Sequence, residues 1–152
     1  MKDQLRISLA LTTPTIDQST SYFIRMLNNL NKSGIDTSMY RANIMPLPSF
    51  DPIEFPIYHM SQFSTNKEGV AIATDFRTID TVLRSGYKHK IHYIYEFDFL
   101  KPLYRAAKEY IINIYKTDMI VITPFKDYFD VLKDIREERM TLLLPTIEDF
   151  TK

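Results

Sequence analysis

The chain has no cysteine, which excludes disulfides and thiolate metal sites and matches the usage of a reducing compartment. Glycine is nearly as scarce. The three present, Gly34, Gly69 and Gly86, leave none for the loop after the first predicted strand, where a dinucleotide fold or a P-loop needs bare backbone to approach a pyrophosphate. Rossmann dehydrogenase and P-loop NTPase are therefore poor readings. Net charge is also absent, since 19 basic residues balance 19 acidic ones, and nothing directs the chain to a nucleic-acid backbone or an anionic membrane. The start, Met1-Lys2-Asp3-Gln4, leads into a patterned run too short and too polar for a signal sequence or a membrane span. A soluble cytoplasmic protein is expected.

What is present is an ordinary globular composition, 45% hydrophobic and 25% charged over 152 residues, enough for one domain with one sizeable core. The expected division is a single domain over 1–145 followed by a tail, 146–152. Leu5, Ile7, Leu9 and Leu11 alternate with Arg6, Ser8 and Ala10 as a strand does. Phe23, Met26, Leu27 and Leu30 then form a helical face, with Ser19 or Thr20 as N-cap and Gly34 as stop. Ile35 to Tyr40 reads as a second strand and completes a βαβ unit with parallel strands. Pro46, Pro48, Pro52 and Pro56 make residues 44–58 an extended loop.

Val70 to Thr74 reads as a short buried strand, and Ile79, Val82 and Leu83 as a helix closed by Gly86. The run Ile91-His92-Tyr93-Ile94-Tyr95 has the unbroken apolar character of a central strand covered on both faces. A helix with Leu103, Ala107, Tyr110, Ile111 and Ile114 on one face follows. Then come a strand over Met119 to Ile122, a helix marked by Phe125, Phe129, Leu132 and Ile135, and a last strand from Met140 to Leu144. This alternation predicts an α/β fold, a three-layer α/β/α sandwich with a mostly parallel, Rossmann-like sheet.

Ligands of such sheets collect beyond the carboxyl ends of the strands, which selects the loops Thr12 to Ser19, Thr74 to Thr78 and Glu96 to Leu100. Thr12, Thr13 and Thr15 are candidate hydrogen-bonding groups for a sugar or phosphate, although loop closure and capping use the same residue types. Glu96 and Asp98 are the candidate catalytic pair. Two carboxylates at the end of a buried strand can have their proton affinities shifted by burial and by each other, so that one serves as a general base. The Glu-x-Asp spacing would also suit a divalent cation, and a solvated strand end with one acid as a cap is the plain alternative. Tyr95 and Phe97 border the same cleft and offer faces for stacking. His92 reads as a hydrogen-bonded core residue. His59 lacks a companion at ligand spacing, so no resident metal is assigned.

Ile7 to Leu11 with the helix Tyr22 to Lys32, Ile91 to Asp98, and Thr117-Asp118-Met119-Ile120-Val121-Ile122-Thr123 with its following helix together resemble the amino-terminal lobe of a GT-B glycosyltransferase. The phage DNA glucosyltransferase branch ends its aromatic strand in a His-Asp pair at which acceptor chemistry is placed. The matching positions are Phe97 and Asp98, so the resemblance passes the base role to Asp98 and gives Phe97 no share in the histidine's. It implies a transferase using a nucleotide sugar as donor, with no intrinsic cofactor. The glycine-containing first loop and the carboxyl-terminal lobe of that family are missing from these residues, which implies a complementary lobe or a homo-oligomer as partner. The alternatives are a non-catalytic Rossmann-like interaction module and a single-domain transferase with Glu96 and Asp98 as a metal clamp.

Overall fold

A computed structural model describes residues 5–11, 18–42, 52–65 and 68–143. Seven strands, all parallel, form one sheet in the order β3-β2-β1-β4-β5-β6-β7. They are β1 (Arg6–Leu11), β2 (Asp36–Arg41), β3 (Ile57–His59), β4 (Val70–Ala73), β5 (His89–Tyr93), β6 (Ile120–Thr123) and β7 (Thr141–Leu143). The helices are α1 (Gln18–Lys32), α2 (Phe76–Arg84), α3 (Lys108–Tyr115) and α4 (Lys126–Arg136). Strand order runs outward in one direction from β1 and in the other from β4, so the switch point lies between these two strands. Three layers result, as the alternation of elements predicts.

The period-two pattern of β1 separates large from small side chains, because in a parallel sheet covered on both faces neither side meets water. Leu9 and Leu11 join Phe23, Ile24, Met26 and Leu27 of α1, along with Met39, Ile72, Tyr93 and Ile122. Ala10, Ala71 and Ala73 point the other way, where their small side chains let Ile79 and Val82 of α2 sit close to the sheet. Ile94 and Val121 meet Ile111, Tyr115 and Leu132 of α3 and α4 on that same side.

Several boundaries differ from expectation. Ile57–His59, of which Ile57 and Tyr58 belong to the expected proline-rich loop, adds to β2 as an edge strand, with Met39 opposite Ile57. Pro56 permits this because its carbonyl still accepts from the Met39 N–H at 3.1 Å. Within that loop Pro46 and Pro48 lie outside the described residues, as does Leu144 of the last predicted strand. β5 begins two residues before the expected start and ends at Tyr93, which leaves Tyr95 beyond the ladder. The helix expected from Leu103 starts as 3-10 turns over Pro102–Ala107, and α3 proper begins at Lys108. Its buried face is thus Ile111 and Tyr115, while Tyr110 is 64% exposed. α1 starts at Gln18, ahead of both Ser19 and Thr20, so neither is its N-cap.

α1 stops as expected, with Gly34 at φ 88°, Gly34 N–H on Asn31 O at 3.0 Å and Ile35 N–H on Leu30 O at 3.1 Å, the paired closure of a Schellman motif. Gly86 does not close α2. That helix ends at Arg84, and Ser85 takes an extended conformation with its hydroxyl on Val82 O at 2.6 Å. Among the described residues no helix is long and apolar enough to cross a membrane.

Two backbone positions generate predictions. Gly69 has φ 96°, and a Cβ there would lie 2.1 Å from the carbonyl oxygen of Arg6, so Gly69→Ala is expected to lower stability by roughly 3 kcal/mol in urea titrations. Glu137 caps α4 at φ 55°, ψ −117°, and Arg139 N–H reaches Arg136 O at 3.1 Å. Such a turn favours glycine at its first central position. Glu137→Gly is therefore expected to stabilise the protein by about 1 kcal/mol, and a lower melting temperature would contradict this.

Candidate functional site at the carboxyl edge

The switch point is closed by Thr74, the residue after β4, whose hydroxyl donates to Ala10 O of β1 at 2.8 Å. The next residue, Asp75, is the N-cap of α2. Its carboxylate accepts from Arg77 N–H at 2.9 Å and Thr78 N–H at 3.0 Å, and the Thr78 hydroxyl accepts from Asp75 N–H at 3.3 Å, a reciprocal capping box. The remaining first-turn amide, Phe76 N–H, is taken by a residue from another loop. It donates to Asp98 Oδ2 at 3.0 Å. Two carboxylates thus share the positive end of one short helix.

Asp98 follows β5 by five residues and is 3% exposed. Tyr115 of α3 holds it from beneath. The Tyr115 hydroxyl accepts from Asp98 N–H at 2.9 Å and lies 3.4 Å from Oδ2. Lys101 sits over the pair of acids that the sequence singles out, with its ammonium 3.5 Å from Glu96 Oε2 and 3.7 Å from Asp98 Oδ1. Burial raises the Asp98 pKa from 3.8 to about 6, and the Asp75 charge adds to the rise. Lys101, the Phe76 amide and Arg77 oppose it without cancelling it. Burial and the nearby Asp98 carboxylate likewise raise the Tyr115 phenol.

The aromatic candidates divide. Tyr95 is half-buried, stacked on Tyr22 of α1 at 4.6 Å and set edge-on to Phe125 at 5.1 Å. Phe97 is buried, stacked on Tyr128 of α4 at 4.2 Å. The structure therefore brings Glu96, Asp98 and Tyr95 to the carboxyl edge and turns Phe97 into the core beneath them. Thr12, Thr13 and Thr15 lie outside the described residues. Beneath Tyr95 the hydroxyls of Tyr22 and Tyr93 hydrogen-bond to one another, and burial raises both phenols.

His92 is buried as expected, but its Nδ1 has no hydrogen-bond partner among the described residues. Burial and the Arg136 charge lower its pKa to about 3, so the ring stays neutral against Tyr115. Among the described residues no three His, Asp or Glu side chains gather as metal ligands. Glu96 and Asp98 share the Lys101 ammonium instead.

The sequence reading picked out the loop from Thr74 to Thr78 but none of its side chains, and it passed over Lys101 and Tyr115. Asp75 had a legible signal, an N-cap acid with Thr78 three positions on. Tyr115 had none, since only the fold brings it to Asp98, and Lys101, three residues after Asp98, reads as one surface lysine among many. Comparison with protein-family models, curated proteins and solved structures gave no match.

Because folding raises the Asp98 pKa, the native state holds this proton more tightly than the unfolded chain. The group's contribution to stability is then greatest below about pH 3.8 and is lost as pH rises through about 6, on the order of 3 kcal/mol in all. Asp98→Asn should remove that loss, so the variant is expected to gain on wild type in urea titrations between about pH 4 and pH 7. A constant difference between the two proteins across this range would show that Asp98 does not titrate there. Asp75→Asn keeps an N-cap but removes the neighbouring charge, and is expected to move the Asp98 midpoint down in a carboxyl NMR titration.

Proposed function

We propose that the chain is the acceptor-side, amino-terminal lobe of a phage-type GT-B glycosyltransferase, working in the cytoplasm with a nucleotide sugar as donor and needing a complementary lobe or subunit. The observation that carries this reading is the Asp98 carboxylate. Buried at the carboxyl end of β5 with a pKa pushed up to about 6, it is ionised at neutral pH and basic enough to take a proton from an acceptor hydroxyl. Phe76 N–H and the Tyr115 hydroxyl fix Oδ2, which leaves Oδ1, on the Lys101 side, to receive the proton.

In the transfer, the acceptor oxygen bonds to the anomeric carbon, the nucleoside diphosphate departs with the electrons of the broken bond, and Asp98 takes the acceptor's proton. Glu96 shares the Lys101 ammonium with Asp98 and would hold that cation aside as the acceptor enters. The half-buried rings of Tyr95, Tyr22 and Phe125 offer faces for a sugar. One lobe leaves the donor largely in water and the reacting atoms unaligned, so transfer is expected only with the second lobe present.

A non-catalytic interaction module is the second reading. It is favoured by β7, an edge strand among the described residues, beside which Met140 is 59% exposed and Leu142 and Leu143 are each 39% exposed, since a sheet edge with apolar side chains invites a partner. Calorimetric titration with nucleotide sugars and free nucleotides, with and without manganese, separates the two. Saturable binding that weakens about tenfold or more in Asp98→Asn is the expected result. A folded chain that binds none of them would remove the transferase reading and leave the interaction module.

A further inference from the structure

Arg41 is the last residue of β2, in register with Leu11 of β1 and His59 of β3. This places it at the carboxyl edge, two residues beyond Met39 and therefore on the α1 side of the sheet. Its Nη1 is sealed from solvent and has no hydrogen-bond partner among the described residues. A guanidinium cannot shed its charge, and native structures rarely leave such a buried donor unmet. Other arginines of this chain show the contrast. Arg6 donates to Asp36 at 2.8 Å, and every N–H of Arg136 finds an oxygen.

A second donor stands beside it. His59 lies two residues beyond Ile57, which packs in the α1-side core, so His59 shares Arg41's face of the sheet. Its Nδ1 accepts from Ser61 N–H at 3.2 Å, which puts the ring proton on Nε2. α1 begins at this same edge and has no acidic residue in its first turn, so its dipole adds no opposition to an anion.

We infer that Arg41 and His59 form a binding site for the phosphate group of a small phosphorylated molecule at the carboxyl end of β2. An arginine fork with a second N–H donor from the neighbouring strand suits a tetrahedral oxyanion better than a flat carboxylate. The site is three strands from Asp98, roughly 14 Å at ordinary strand spacing, and does not rest on the transferase reading.

The test is calorimetric titration of the chain with inorganic phosphate, glucose 1-phosphate and uridine 5′-monophosphate, against glucose and uridine, in wild type, Arg41→Gln, Arg41→Lys and His59→Ala. Phosphate-bearing ligands are expected to bind at least about tenfold more tightly than their uncharged parents, and Arg41→Gln to lose about tenfold or more. Arg41→Lys should retain the charge and part of the affinity, and it supplies the reading if the glutamine variant fails to fold by circular dichroism. His59→Ala should weaken binding less than Arg41→Gln. An ester that binds more tightly than inorganic phosphate identifies a carried phosphate, and equal binding identifies the free anion; both uphold the site. Unchanged affinity in the Arg41 variants, or no saturation by any phosphate up to about 10 mM, overturns it. Asp98→Asn should leave the binding of inorganic phosphate intact, so loss of that binding in the Arg41 variants and loss of nucleotide-sugar binding in Asp98→Asn are read separately.

Discussion

The guanidinium of Arg136 is the contact on which the carboxyl-terminal half of the sheet depends. It is fully buried at the end of α4, and its five N–H groups meet five oxygens. Nε donates to the Thr141 hydroxyl, Nη1 to the carbonyls of Tyr115 and Thr117, and Nη2 to those of Met119 and Met140. One side chain thereby ties the end of α3, the approach to β6 and the start of β7 to the end of α4. Burial lowers its pKa only to about 10, so it stays charged and its carbonyl partners replace the water it has lost. Truncating it would leave several buried carbonyls unmet at once, the kind of change that costs far more than its area.

Tyr115 carries that constraint to the candidate site. Its carbonyl is held by Arg136 and its hydroxyl holds Asp98, whose carboxylate in turn receives the first amide of α2. The ring packs in the core with Ile111, Val121 and Leu132 between these two polar ends. Asp98 is therefore no loosely tethered loop acid. Its position is set by hydrogen bonds from two other elements, α2 and α3, and by Lys101 of its own segment, which is the condition for a group that must meet a substrate atom to within a fraction of an ångström.

Much of the fold is legible because a parallel sheet leaves a coarse imprint. β1, β4, β5 and β6 are short apolar runs separated by helical spacing, and Gly34 marks a helix end that its positive φ explains. What was not legible follows from chemistry that periodicity does not carry. Prolines conceal β3, because only the pairing shows that Pro56 offers its carbonyl. Pro102 begins a helix in 3-10 form, and the change of phase moves Tyr110 out of the core. At the site, the Glu96-x-Asp98 pair was readable as two acids after a buried strand. Their partners Lys101, Tyr115 and Phe76 were not, because two of the three come from other elements and Lys101 reads as one of many surface lysines. The α1 side shows the same limit, where Asn28 clasps Pro52 O and Glu54 N–H at 2.7 and 2.9 Å, an anchoring that no pattern of hydrophobicity announces.

Asp98 and Arg41 mark the carboxyl edge by opposite departures from ordinary design. Asp98 is fully partnered, yet its ionised form is held in a place that disfavours it, since an amide could receive Phe76 N–H without a buried charge. A carboxylate in that setting gains nothing for stability at neutral pH, and its proton affinity is what distinguishes it from an amide. Arg41 has a buried guanidinium donor that none of the described residues receives. A fold that satisfies Arg136 down to the last N–H has the means to satisfy Arg41 as well. One acid raised by burial and one guanidinium donor unmet by the described residues thus lie along the same carboxyl edge, where ligands of parallel sheets ordinarily collect.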